Sequence, residues 1–567
     1  MRLIHLLFAV SLAVSALVGL SGLIGLQPAV ATPAATLQSL IDAAPNGGTV
    51  NVAAGTYTES LTVNKTLTLT GVSSATTIIQ AVAGQRVITV TAGNNLRLEN
   101  LTVTGGHPSG AVGGGIIVLN NGSLTLINSR VANNSADYGG GVFQGGSGGR
   151  VDAIGSRIDL NTTTYHGGGL YIEGTAAFTN TQVLSNTANQ HGGGVHVQYG
   201  RADVSGGVFA YNRAVNGNGG AINLNNTLTL SGTHIISNTA LNGGGVQQWN
   251  AGYAVAITNT RFERNAAQRI GGGAAVSSTL SVNGSLFVSN TVDSGSAQDT
   301  WGGGLYAGGA SQIAATTFTG NTAFCIYGGS CGNANGGGLY IAYQPLTLTQ
   351  VTFSRNQAGR MGGGLKTDYA TTRLDRVIFS GNYAGWGAGW SHSHGSGALT
   401  NGLFNGNVAG WGGGLTVESA VVTLTHVTAS GNYASNIGGG LENYWATVKV
   451  INSVFWGNTS PHGAQIYDDN STAPTLVTYS DIQFTGVYTG TGNLNADPRF
   501  VQPIAASLNP TTAGNYHVAG NSPVIDLGTN AGVTVDLDGQ PRPIGHGYDL
   551  GAYESRLTVY LPLLLRY

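Results

Sequence analysis

Residues 404 to 415 read Phe-Asn-Gly-Asn-Val-Ala-Gly-Trp-Gly-Gly-Gly-Leu, and 25 residues earlier, from Phe379 to Trp390, the chain reads FSGNYAGWGAGW. Phenylalanine, asparagine, tryptophan and a glycine group recur at the same separations. The pattern extends in both directions. Glycine groups begin at Gly113, Gly139, Gly167, Gly192, Asn218 (a degenerate NGGAI), Gly243, Gly271, Gly302, Gly336, Gly362, Gly387, Gly412 and Gly438, most of them 25 to 28 residues apart. An asparagine column precedes them, from Asn134 through Asn382 and Asn407 to Asn458, and Phe262, Phe287, Phe318, Phe353, Phe379, Phe404 and Phe455 each stand three residues before an asparagine. A period of this length marks a repeat architecture.

Between these marks run short stretches such as SLTLINS and PLTLTQVTF, apolar at alternate positions, which is the period of half-buried strands. No helical period interrupts them. A unit of this size buries too few side chains to offset the cost of ordering its backbone, so the units must stack and share their ladders. Leucine-rich repeats have a similar period but need an LxxLxLxxN core, and propeller blades need about 40 residues or more. The reading is therefore all-β: a right-handed parallel β-helix over residues 32–470, in which phenylalanine fills the core, asparagines stack amide on amide and glycine supplies left-handed corners. TLQSLIDAA (36–44) places Leu37, Leu40, Ile41 and Ala44 on one helical face and reads as a cap over the first coil.

Composition narrows the function. Of 567 residues 92 are glycine and only 8% are charged, with a net charge of −2, so no basic patch is available to neutralise phosphates and nucleic acid is excluded as a partner. Residues 1–31 carry Arg2, an apolar run from Leu6 to Leu26 and Ala29-Val30-Ala31, the layout of a signal peptide cleaved before Thr32; the run is also long enough to stay as a membrane anchor. Either way the expected location is outside the cytoplasm, at the cell surface. Cys325 and Cys331, the sole cysteines, are expected to form one local disulfide in such a compartment. The tail 556–567, LTVYLPLLLRY in its apolar part, is too short for a spanning helix.

Three resemblances follow from particular residues. IDAAPNGGTVNVAAGTYTESLTVNKTLTLTGV, with Gly55-x-Tyr57-x-Glu59 and Lys65-x-Leu67-x-Leu69-x-Gly71, resembles the opening of pectin-lyase-fold proteins. The paired GGG(I/L/V) and FxxN motifs resemble the repeats of chlamydial polymorphic outer-membrane proteins, which implies surface display and adhesion; the chain has no room for that family's C-terminal translocating barrel. NLNADPRFV, NYHVAGNSPVIDLG, DLDGQPRP and YDLGAYE, within residues 471–555, are similar to the choice-of-anchor Q domain that follows β-helices in bacterial surface proteins, implying a small C-terminal β accessory domain and association with the cell envelope. Asp536-x-Asp538-Gly539 resembles the start of a calcium loop, but the twelfth position is Gly547 where a bidentate glutamate belongs. Calcium is possible; no other cofactor is implied.

After each glycine group the strand alternates inward and outward, and the outward positions form two rows: Tyr171, His196, Tyr306, Tyr340, Lys366, Thr416 and Glu442 in one, Asp368, Glu418 and Tyr444 in the other. Trp386 and Trp411, just ahead of their glycines, should be vertical neighbours. Two readings stand: a groove in which aromatic rings stack on the sugars of an extended polysaccharide, or aromatic ladders that only stabilise the solenoid. For catalysis, Asp368 and Glu418 should lie two coils apart, about 9.6 Å by strand spacing, within the range of an inverting carboxylate pair, and Lys366 beside Asp368 is the one candidate lyase base. His392 and His394 should face the same way, without a third ligand for a metal. The sequence thus favours an adhesive or polysaccharide-binding surface over an enzyme, with a polysaccharide lyase or glycoside hydrolase as the alternative; oligomeric state is not legible.

Overall fold

A computed structural model describes residues 35–295, 298–325, 333–469 and 474–555. The chain winds into a right-handed parallel β-helix of about 16 turns. Strands of successive coils pair in parallel and in register: Leu170, Tyr171 and Ile172 stand over Val195, His196 and Val197, and these over Ile222, Asn223 and Leu224. A second, narrower sheet carries the short strands between the asparagine and glycine columns, such as Tyr383–Trp386, Val408–Trp411 and Tyr433–Ile437. The parallel ladder runs on through Asp481–Ile482.

Each column has a physical role. Asparagine side chains from Asn134 to Asn458 donate from Nδ2 to Oδ1 of the next coil's asparagine at 2.8–3.1 Å. The same Oδ1 accepts a backbone N–H, and the second Nδ2 hydrogen reaches a carbonyl of the preceding coil, as in Asn382 to Phe353 at 3.0 Å. The buried amides are thereby fully satisfied. Beside them the rings of Phe262, Phe287, Phe318, Phe353, Phe379 and Phe404 stack at 4.6–5.2 Å. At the glycine corner, Gly412 has φ 59 and a Cβ on Gly414 would stand 2.6 Å from the Gly440 carbonyl oxygen, so both conformation and space demand glycine there. The degenerate corner is shifted by one from the sequence reading: Gly219 holds the left-handed turn at φ 66, while Asn218 bonds through its backbone N–H to His191 Nδ1 at 3.1 Å in the column ahead of the glycines.

The cap is the helix Leu37–Ala43, with Thr36 as its N-cap. Leu37 and Ile41 are fully buried, but Leu40, expected on the same face, is 41% exposed, because a seven-residue helix lying across one coil has room for a narrow contact stripe only. Glu59 from the Gly-x-Tyr-x-Glu motif accepts the amides of Leu37 and Gln38 at 2.8 and 3.0 Å, placing a carboxylate at the helix N-terminus where the free N–H groups and dipole favour it.

The C-terminal residues do not stand apart from the solenoid. A two-stranded antiparallel pair, Phe500–Gln502 with Asn515–Val518, and the segment after it pack along the late coils in one apolar cluster that joins Leu403 and Val454 to Phe500, Tyr516, Val524 and Leu550. Asn452 Nδ2 donates to the Thr529 carbonyl at 2.7 Å, and the Ala552 amide donates to Thr428 Oγ1 at 2.9 Å. Inside the segment, Arg542 and Glu554 form a 2.6 Å ion pair with both side chains fully buried. Cys325 is disulfide-bonded; Cys331, the expected signal peptide and the tail 556–567 lie outside the described residues. No helix among the described residues is long and apolar enough to cross a membrane.

Candidate functional site

The coils from Asn356 to Asp469 bring three columns to one cleft. Short strands supply Trp386 and Trp411, paired in register, with ring centroids 4.6 Å apart and planes within 8°. The Arg360 guanidinium caps the stack, 5.8 Å from the Trp386 ring centre, where the ring face attracts a cation. Beyond the glycine corner, Lys366, Ser391, Thr416 and Glu442 stand in one column of the next strands, and Asp368, Ser393, Glu418 and Tyr444 in another. Between tryptophans and carboxylates lies a cavity of about 380 Å³ lined by Arg360, Trp386, Trp411, Glu418, Glu442 and Asp469 among others.

The first column is less open than alternation implies. Lys366 and Glu442 are each only 3% exposed, and Tyr171, His196, Tyr340 and Thr416 are also buried. The strand turns sharply at the glycines, so its first outward side chain falls into the angle between the two sheets and is covered by the column ahead of the corner. In the second column Asp368 and Glu418 are half-buried and Tyr444 is exposed, while Ser393 is buried. His392 and His394 do not face the same way: His392 is fully buried in register between Thr367 and Val417, whereas His394 occupies a left-handed turn at φ 53. That turn breaks the alternation on which the expectation rested.

A polar relay links the columns. Lys366 Nζ donates to Ser393 Oγ, and Ser393 Oγ donates to Glu418 Oε2 at 2.8 Å. Asp368 and Glu418 are therefore two coils apart in one column with Ser393 between them, while Asp368 Oδ1 stands 3.3 Å from His394 Nδ1. Burial pulls the Lys366 ammonium down to about 8, against the pull of Asp368 and Glu418. Glu442 is pushed up to about 7, first by burial and further by Asp469 and Glu418, against the Thr416 hydroxyl that donates to its Oε2 at 2.9 Å. That hydroxyl is the one hydrogen-bond partner of the carboxyl group among the described residues.

Elsewhere the aromatic candidates close on one another. Tyr171 stacks on Phe143 at 5.2 Å and on His196 at 5.1 Å, and His166 and His191 stack alongside at 4.9 Å. His196 lies 2.7 Å from Gln198 and 3.0 Å from Asn223 through its two ring nitrogens; burial drives it down to about 3, and His166 to about 4. Tyr306 and Tyr340 stack at 5.8 Å with Trp301. Both oxygens of Asp536 are occupied by the amides of Gln540 and Glu554 at 2.7 and 2.9 Å, and Asp538 pairs with His517 at 2.8 Å, so the DxDG stretch folds as a capped turn. Among the described residues no group of three or more His, Cys, Asp or Glu is placed to hold a metal.

Glu442, Trp386 and Trp411 were legible from the glycine register. Ser393, Arg360 and Asp469 were not, although Ser393 sits 25 residues from both Asp368 and Glu418, a spacing that puts it in their column.

No protein-family model matches the chain, and no curated protein matches it. Among solved structures it is similar to a pectate lyase, at 13% identity over 82% of this chain and 89% of that one, with a TM-score of 0.24. It is also similar to the catalytic unit of an α-1,3-glucanase from Streptomyces thermodiastaticus, at 15% identity over 77% and 67%, TM-score 0.25. A pectin methylesterase in complex with a hexasaccharide matches at 12% over 55% and 74%, TM-score 0.20.

Proposed function

We propose that the protein is an exported, cell-surface β-helix that binds polysaccharide along the Trp386–Trp411 cleft, as an adhesin or surface scaffold. The parallel tryptophan pair carries this reading. The two stacked indoles, 4.6 Å apart and half-buried beside a cavity, offer a flat apolar edge, and the opposite wall supplies hydroxyl and carboxyl groups from Thr416 and Glu418 of one coil and Glu442 of the next. That combination suits a chain of sugars, each with an apolar face and a rim of hydroxyls. Export rests on residues 1–31 and on the resemblance to surface-displayed repeat proteins. The test is retention of the mature chain on a panel of immobilised plant and bacterial polysaccharides, with Trp386→Ala plus Trp411→Ala as the comparison. Equal retention of that variant, shown folded by its circular dichroism, sinks the reading.

One observation favours a second reading, a glycoside hydrolase. Glu442, which burial pushes up to about 7, stands one coil from Glu418, and a carboxyl group able to give up a proton near neutrality beside a second carboxyl group is the arrangement acid–base cleavage uses. New reducing ends released from the same panel, and lost in Glu442→Gln, decide for it. Asp368 with His394 and Lys366 with Ser393 are secondary candidates for mutation in that case.

A further inference from the structure

A second cavity, of about 630 Å³, opens on the earlier coils and is lined by Gln198, Tyr199, Asn225, Trp249 and Tyr253 among others. Five successive parallel pairings lead from the strand of Gln248 to that of His392, beside the tryptophan cleft, so the two sites lie about 24 Å apart by strand spacing. The chain departs from its repeat to build this cavity. Residues 249–254 stand between Gln248 and Val255, where 225–227 and 277–279 fill the same gap in the neighbouring coils, six residues against three. The longer turn is tied down along its length: Gln248 Nε2 donates to the Asn250 carbonyl at 2.7 Å, the Gly252 amide to Asn250 Oδ1 at 3.3 Å, and Thr279 Oγ1 to the Tyr253 carbonyl at 3.0 Å. It carries Trp249 and Tyr253 outward. A turn lengthened and fixed within an otherwise regular stack is where binding residues concentrate.

Tyr199, Trp249 and Tyr253 are 58%, 42% and 38% exposed, and none of them meets another ring among the described residues, unlike Tyr171 on Phe143 or Trp386 on Trp411. Ring ladders that stabilise the solenoid therefore do not account for them. Tyr199 and Trp249 leave the coils on either side of Asn225, about 9.6 Å apart by strand spacing, which is room for one sugar ring touching both, since each contact takes about 4 Å. The polar groups beside them have capacity to spare. The Asn225 side chain has no hydrogen-bond partner among the described residues. His196 takes the Asn223 Nδ2 hydrogen on Nδ1 at 3.0 Å and so donates from Nε2 to Gln198 Oε1 at 2.7 Å, which leaves the hydrogens of Gln198 Nε2 for a ligand. No charged side chain among the described residues lines the cavity. We infer that this is a second glycan site, selective for uncharged sugars, with the ring held by Trp249, Tyr199 and Tyr253 and its hydroxyls bonded to Asn225 and Gln198. A uronate or an ammonium sugar would give up hydration here without meeting a counter-charge and is rejected.

The site stands on its own residues, whether or not the Trp386–Trp411 cleft binds, and the test separates the two. The experiment is calorimetric titration of the mature chain with hexamers of glucose, mannose, N-acetylglucosamine, glucosamine and galacturonate, in the parent, in Trp249→Ala, in Asn225→Ala and in Trp386→Ala plus Trp411→Ala. At least one of the three neutral hexamers is expected to show a binding event that Trp249→Ala weakens about tenfold or more, Asn225→Ala weakens about threefold or more, and the Trp386, Trp411 variant leaves in place. Neither Trp249 nor Asn225 belongs to the apolar core, so circular dichroism should be unchanged in both variants. No such event with any neutral hexamer, an event kept within about twofold in Trp249→Ala, or an equally tight Trp249-dependent event with a charged hexamer overturns the inference. Binding that depends on Trp386 and Trp411 alone overturns it and leaves the cleft reading standing, whereas binding that depends on Trp249 alone upholds it and sinks the cleft.

Discussion

Replacing Asn407 by alanine should loosen the solenoid locally by an amount that follows from its bonds. Asn407 Nδ2 donates to Asn432 Oδ1 at 2.8 Å and to the Phe379 carbonyl at 2.9 Å, while its Oδ1 accepts both the backbone N–H and Nδ2 of Asn382 at 2.9 Å. The residue is fully buried, so water does not replace the four bonds. At about 1 kcal/mol net for each, the loss is about 4 kcal/mol. Aspartate keeps the acceptors but has no hydrogen for Asn432 or Phe379, and Asn407→Asp should cost at least as much. A long stack need not unfold in one step, so the suitable assay is native-state hydrogen exchange. The reporters are the amides of Val408 and Tyr433, which bond to the carbonyls of Asn382 and Asn407 at 2.9 Å. Their exchange should accelerate several hundredfold, the factor equivalent to about 4 kcal/mol, while Asn436→Ala, on an exposed residue of the next coil, should leave them unchanged. Acceleration of less than about fivefold, equivalent to about 1 kcal/mol, would falsify the ladder as a source of cohesion.

Other outcomes follow from the buried titratable groups. His166 and His196 are held neutral at about 4 and 3 against an ordinary value of 6.5; the unfolded chain binds more protons, so their contribution is complete above pH 6.5 and declines as pH falls below it. Thermal unfolding followed from pH 7 to pH 4.5 should show a falling Tm whose slope is shallower in His196→Gln. For Glu442 the sign is opposite. A folded value of about 7 against 4.5 means stability lost as pH rises from about 4.5 to 7, so Glu442→Gln should raise Tm at pH 8 relative to the parent and not at pH 4. Breaking the Arg542–Glu554 pair by Arg542→Met strands a fully buried carboxylate and should cost about 3–5 kcal/mol; limited proteolysis should then cut the C-terminal segment away while the coils stay protected.

The fold was legible because each element of the repeat answers a separate local demand. Glycine at a left-handed corner, phenylalanine in the core and asparagine in a dry column leave few substitutes, so their spacing survives as a readable period. What the period could not convey was depth. Alternation distinguishes inward from outward, but Lys366 and Glu442 point outward into a concave angle, and only the bend between two sheets makes them buried. His392 illustrates the converse: its position between Thr367 and Val417 in register marks it as interior, yet a histidine there gives no apolar signal. The C-terminal segment carried motifs without periodicity, and its packing on Leu403 and Val454 depends on contacts between residues more than a hundred positions apart in some cases, such as Thr428 with Ala552.

The asparagine column also has a direction. Every side-chain amide of the series donates one hydrogen bond to the amide oxygen of the coil that follows it, so the amide-to-amide bonds run head to tail along the axis and polarise one another. The series opens where the Gly106 amide donates to Asn134 Oδ1 at 2.9 Å and closes where Asn458 Nδ2 reaches Gln465 Oε1 at 2.7 Å. A stack cut between these points leaves two N–H donors on its last coil facing the vacated amide oxygen, and an unanswered Oδ1 acceptor on the first coil beyond the cut. The amide series thus has a distinct beginning and end, and Gln465 closes it while the strand ladder continues to Asp481–Ile482.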